Sequence, residues 1–64
     1  MTAVAAARRG GPTVLIVEDD AETRAALVRE LSRRGYRVDE AADGRTALER
    51  WAQRRPDLVL LDLG

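Results

Sequence analysis

The 64-residue sequence predicts an α/β chain, a short doubly wound parallel sheet with the element order β-α-β-α-β. Three observations predict it. Val14-Leu15-Ile16-Val17 and Leu58-Val59-Leu60-Leu61 are continuously apolar, as strands of a parallel sheet are. Two amphipathic, helix-like segments separate the strand-like ones, which calls for crossover connections and hence parallel pairing. Each apolar run stops abruptly at an acid, Glu18-Asp19-Asp20 in one case and Asp62 in the other.

The elements follow in order. Residues 1–12 are small, Ala-rich and end in Arg8-Arg9-Gly10-Gly11-Pro12, with no periodicity, and read as a disordered tail. Their two arginines make too small a patch for a basic arm. Thr13 to Val17 is the first strand. A helix runs from Ala21 to Arg34, with Asp20 as its N-cap and Gly35 just past its end. Leu27, Val28 and Leu31 form its apolar stripe, and Glu30 and Arg34 stand in the favourable i,i+4 order.

Tyr36 to Ala41 alternates and reads as a half-exposed edge strand, with Tyr36 packed near that edge. Asp43-Gly44 marks a turn and the next cap. Arg45 to Arg54 is the second helix, with Ala47, Leu48, Trp51 and Ala52 on one face. Trp51 reads as a core residue of that face, and Arg54-Arg55 as a solvated helix end. Pro56 ends the helix by disfavouring the α conformation of Arg55. Leu58 to Leu61 is the third strand, read as buried from its composition. Two right-handed crossovers can place the strands in the order 2-1-3, with the first strand central, provided the chain reverses direction across the sheet at that strand.

Composition narrows the chemistry. Cysteine and histidine are absent, which excludes disulfides, zinc sites built on them and Ser-His-Asp catalysis. All 11 basic residues are arginine, so no lysine serves as a Schiff base or phosphate ligand within these residues. They balance 11 acids, and a net charge of zero gives no global reason to bind nucleic acid or an anionic membrane. The longest apolar run is far short of the ~20 residues that span a bilayer. Met1 to Pro12 has its charges after its apolar stretch, unlike a secretory signal, so the expected location is cytoplasmic. With 11 alanines and no phenylalanine the core is small, and marginal stability is expected.

In a 2-1-3 parallel sheet the carboxyl ends of the first and third strands lie side by side, about 5 Å apart. Glu18, Asp19 and Asp62 then converge on the edge where open α/β sheets bind ligands. Each alone also reads as a solvated acid at a strand end, and Asp20 as a cap. Together, three carboxylates repel one another unless a cation sits among them. A hard cation such as Mg²⁺ suits one or two carboxylates, waters and a phosphate oxygen. A carboxylate beside it can attack phosphorus to give an aspartyl phosphate.

Val14-Leu15-Ile16-Val17-Glu18-Asp19-Asp20 followed by Arg24, then Ala41-Ala42-Asp43-Gly44 with Ala47-Leu48, then Pro56-Asp57-Leu58-Val59-Leu60-Leu61-Asp62-Leu63-Gly64, resemble the receiver domain of bacterial two-component response regulators. The resemblance covers residues 13–64 and implies the N-terminal half of a truncated flavodoxin-like doubly wound sheet. It implies that Asp62 accepts phosphate from a sensor histidine kinase. Glu18 and Asp19 match the acidic pair that holds Mg²⁺, Asp19 directly and Glu18 through water. The backbone carbonyl of Gly64 matches a further metal ligand.

The opening and ending motifs lean towards the subgroup with a winged-helix, DNA-binding output, with a receiver homodimer in the parent protein. This segment itself binds neither nucleic acid nor membrane, and it acts as a phosphoacceptor in signalling, not as an enzyme. The family's five-stranded unit also carries a hydroxyl residue after its fourth strand and a lysine after its fifth, and the pattern here stops just after the third. A chain ending there exposes an apolar edge strand, and the isolated piece is expected to be poorly soluble or loosely packed.

Two other readings remain at this point. One is a docking fragment that binds a kinase or a partner receiver without accepting phosphate. The other is an aspartate-based, phosphatase-like phosphotransferase, which looks for a second acid two positions after Asp62, where Gly64 stands. A dinucleotide-binding βαβ is excluded, because Glu18-Asp19-Asp20 occupies the place of the Gly-rich loop.

Overall fold

The computed structural model describes residues 11–62, the last of them by its backbone alone. Expectations for residues 1–10, for the Asp62 side chain and for Leu63-Gly64 fall outside the described residues. Five elements follow one another: β1 (Thr13–Glu18), α1 (Ala21–Arg33), β2 (Arg37–Ala41), α2 (Gly44–Gln53) and β3 (Leu58–Asp62). The sheet is parallel throughout, in the order β2-β1-β3. This is the predicted doubly wound α/β topology, with one or both boundaries shifted by one residue at each of the five elements.

β1 is central, with β2 on one side and β3 on the other, and its residues from Val14 on are buried on both faces. Val14, Leu15, Ile16 and Val17 are all 2% exposed or less. Fully burying an aliphatic side chain of this size contributes about 1.5–3 kcal/mol, so this strand carries most of the core. Leu15 and Val17 pack with Ala41 of β2, and Ala47 of α2 joins them. Both helices pack on β1 and β2, and neither packs its backbone against β3.

The helix ends are built as the sequence predicts. Asp20 caps α1, its carboxylate accepting from the Thr23 N–H at 2.8 Å and the Thr23 hydroxyl at 2.7 Å. Asp43 caps α2 by accepting from the Thr46 N–H at 2.8 Å. At the far end of α1 the Tyr36 N–H reaches the Leu31 carbonyl and the Gly35 N–H the Ser32 carbonyl. That Schellman pairing needs a left-handed residue, and Gly35 supplies it at φ +95°. Tyr36 therefore belongs to the helix-closing turn, and β2 starts at Arg37 instead of Tyr36. The Glu30–Arg34 pair forms at 2.7 Å, with Arg33 on the same carboxylate.

The lower ends of the three strands are tied together. The Arg37 N–H donates to the Pro12 carbonyl, and the Asp57 N–H to the Thr13 carbonyl. Asp57 returns the bond, its carboxylate accepting from the Thr13 N–H at 2.8 Å.

Two expectations are corrected. Leu58 to Leu61 is not a buried strand: these residues are 37–63% exposed. Their composition suits burial on both faces, but β3 has β1 on one side only and no helix packed over it. Trp51 is not a core residue either. It is 41% exposed, and Leu48 is 71% exposed. α2 packs on β1 and β2 but not on β3, leaving an open apolar groove of about 320 Å³ lined by Leu15, Gly44, Ala47, Leu48, Trp51 and Val59. The Arg55 guanidinium covers the Trp51 ring at 4.2 Å, so Arg55 is not merely solvated. Arg54 reaches Asp39 at 3.5 Å, an exposed and weak pair.

Candidate functional site

The site grows from the carboxyl end of β1. The apolar run stops at Glu18, which is still in the strand and only 3% exposed. A buried carboxylate needs partners, and the Asp20 N–H donates to its Oε2 at 2.9 Å. This bond folds the chain over Asp19 and delivers Asp20 to its capping position. Asp19 stands at the apex of the turn and is exposed. Asp20 is committed to the cap, and the Thr23 hydroxyl and Thr23 N–H hold its carboxyl below the usual aspartate range. The structure therefore separates three consecutive acids into a buried anchor, an exposed carboxylate and a helix cap.

Asp62 comes to the same edge. In the β1–β3 ladder Glu18 and Asp62 are Cα partners, and neighbouring strands lie about 4.8 Å apart. The predicted convergence of the two strand ends is present in the backbone. The side chain of Asp62 and the carbonyl of Gly64 lie outside the described residues. Among the described residues no group of three or more acidic, histidine or cysteine side chains is gathered as a metal cluster.

The third contributor to this edge is one that sequence reasoning did not assign. Arg24, one turn into α1, donates from Nη1 to the Glu18 carbonyl at 2.8 Å and from Nε to Glu40 Oε1 at 3.0 Å. Its side chain is 20% exposed and that of Glu40 is 51% exposed. One guanidinium thereby spans the ends of β1 and β2. Arg24 was visible in the motif. Its partner Glu40 lies sixteen positions away on another strand, and only the β1–β2 register brings it within reach.

The donor chemistry at the edge suits a hard cation. Asp19 offers an exposed carboxylate, Glu18 a buried one, and both are oxygen donors of the kind Mg²⁺ prefers. No helix among the described residues is long and apolar enough to cross a membrane.

Comparison with known proteins agrees with the geometry. The family model described as the response regulator receiver domain matches residues 14–64. The chain is 44% identical over 52 residues to the transcriptional regulatory protein AfsQ1 of Streptomyces coelicolor, covering 81% of this chain and 23% of that protein. It is 50% identical over 50 residues to the response regulator MprA of Mycolicibacterium vanbaalenii, covering 78% of this chain and 22% of that protein. To the transcriptional regulatory protein PrrA of Mycobacterium tuberculosis it is 42% identical over 52 residues, covering 81% and 22%. The chain thus spans less than a quarter of the length of these relatives. No solved structure gave a significant match. A parallel 2-1-3 sheet with acids at the ends of β1 and β3, together with the match over residues 14–64, places this chain in the receiver domain family of two-component response regulators.

Proposed function

We propose that this chain carries the phosphoacceptor and metal-binding edge of a receiver, with Asp62 taking a phosphoryl group from a sensor histidine kinase. The observation that supports this best is the in-register pairing of Glu18 and Asp62 at the carboxyl ends of adjacent parallel strands. An Asp62 carboxylate oxygen attacks phosphorus, the bond to the donor imidazole nitrogen breaks, and its electron pair returns to that nitrogen. Asp19 would hold Mg²⁺ directly and Glu18 through water, with the Gly64 carbonyl as a further ligand. When bound, the cation supplies charge neutralisation for the transferring group. Glu18 anchors the turn by accepting from the Asp20 N–H, which keeps Asp19 at the edge.

The wider reading follows from the same assignment. The chain acts as a signalling phosphoacceptor in the cytoplasm, not as an enzyme with its own substrate. Relatives that are named transcriptional regulatory proteins support a DNA-binding output in the parent protein, with this segment itself contacting no nucleic acid. A receiver homodimer fits that output.

The test is phosphoryl labelling of the protein by a histidine kinase or by acetyl phosphate. An acid-stable, hydroxylamine-labile label is expected, lost in Asp62→Asn and dependent on Mg²⁺. A label that persists in Asp62→Asn overturns the assignment. Kinase binding without any label favours the docking reading instead.

A further inference from the structure

Arg24 bridges two strand ends at the acidic edge, and nothing in the phosphoacceptor reading accounts for it. We propose that Arg24 is a positioning residue for the Mg²⁺ site, fixing the peptide between Glu18 and Asp19. The inference rests on the reading of Asp19 as a metal ligand.

The turn Glu18-Asp19-Asp20 is held at two points. On the N-terminal side the Glu18 carbonyl is gripped by Arg24 Nη1 at 2.8 Å. On the C-terminal side the Asp20 N–H is gripped by Glu18 Oε2 at 2.9 Å. A peptide is planar, so fixing the Glu18 carbonyl also fixes the direction of the Asp19 N–H and the position of its Cα. Anchors on the two peptides that flank one exposed residue fix the direction in which its Cα–Cβ bond leaves the backbone.

The fork shape matters as well as the charge. Nε of Arg24 is occupied by Glu40 at 3.0 Å, which sets the plane of the guanidinium while Nη1 reaches the carbonyl. The Glu40 pair is half-exposed and contributes little stability by itself. Its effect is orientation: it directs the cation to a backbone oxygen of β1. A lysine is a single flexible point charge and cannot hold both partners in one plane. Groups that orient metal ligands without touching the metal typically change affinity about 10–100-fold when removed.

The experiment is calorimetric titration of the full-length protein with Mg²⁺ alone, without any phosphoryl donor, beside a thermal melt of each variant. Arg24→Lys and Arg24→Ala are each expected to weaken Mg²⁺ binding about 10-fold, and Glu40→Gln less. Arg24→Lys is expected to melt close to wild type, so that its lost affinity is not lost fold. Mg²⁺ affinity unchanged in Arg24→Lys overturns the proposal, and so does a loss of affinity in Arg24→Ala that lysine fully restores. The underlying reading fails differently: wild-type protein would bind no Mg²⁺, or Asp19→Asn would bind it as well as wild type, and the proposal would fall with it.

Discussion

Glu18 at the end of β1 and Asp62 at the end of β3 are Cα partners in one parallel ladder, and Glu18 is almost fully buried. Glu18 therefore has two roles that substitutions can separate. Its carboxylate anchors the turn through the Asp20 N–H, and it belongs to the acidic edge. Glu18→Gln keeps an acceptor for that N–H and removes the charge. It is expected to melt near wild type while weakening Mg²⁺ binding. Glu18→Ala removes the acceptor as well and is expected to cost about 1–3 kcal/mol, measured by urea denaturation. Equal stability loss in both variants would show that the charge, not the anchor, holds the turn.

The helix caps predict how stability responds to acid. The Thr23 hydroxyl and N–H lower the Asp20 carboxyl pKa below its ordinary 3.8, and the backbone N–H and hydroxyl of Thr46 do the same for Asp43. Arg33 and Arg34 lower that of Glu30. A carboxyl whose folded pKa is depressed stabilises the fold above its unfolded value and loses that contribution as pH falls through the folded value. The melting temperature is therefore expected to be flat near neutrality with respect to these groups and to drop below about pH 4. In the double variant Asp20→Asn, Asp43→Asn the drop should be shallower. A parallel acid drop in wild type and double variant would assign the acid sensitivity elsewhere.

Much of this architecture is legible in the sequence because local signals and the global fold agree. The continuous apolar run of β1, the caps Asp20 and Asp43, the Gly35 stop and the alternation of β2 all report structure within a few residues of themselves. Crossover handedness permits the order β2-β1-β3 and also β1-β2-β3, and the reversal at β1 selects the first. Burial was less legible. The pattern of Leu58 to Leu61 reports what the residues suit, and exposure depends on what lies beside them. Trp51 is exposed for the same reason, since its helix packs on β1 and β2 and leaves an open groove towards Val59 of β3. At the site, the acids could be placed from strand ends alone. The Arg24–Glu40 bridge could not, because it depends on a pairing register that no spacing along the chain encodes.

The uneven burial makes a direct comparison possible. Ile16 is fully buried in the central strand, whereas Leu48 is 71% exposed on α2. Ile16→Ala removes methylenes from a packed interior and is expected to cost about 2–5 kcal/mol. Leu48→Ala removes similar atoms from a site already in contact with water, and is expected to stay within about 0.5 kcal/mol of wild type. Chemical denaturation of both variants measures the contrast. A large cost at Leu48 would mean that the open groove beside Trp51 is covered in solution.

The exposed third strand predicts the behaviour of the 64-residue chain by itself. β3 presents Leu58, Val59, Leu60 and Leu61 at 37–63% exposure, and its outer edge has no strand partner among the described residues. Unpaired N–H and C=O groups along an apolar strand form a template for another chain. Neither a proline nor a charge interrupts Leu58 to Leu61 to discourage that pairing. The chain is expected to self-associate with rising concentration, and Leu61→Lys to reduce this by adding a charge at the most exposed of the residues from Leu58 to Leu61. Sedimentation velocity over a concentration series separates the cases. A wild-type chain that remains monomeric throughout would remove the edge as the cause. Association unchanged in Leu61→Lys would move the contact to the groove between Trp51 and Val59.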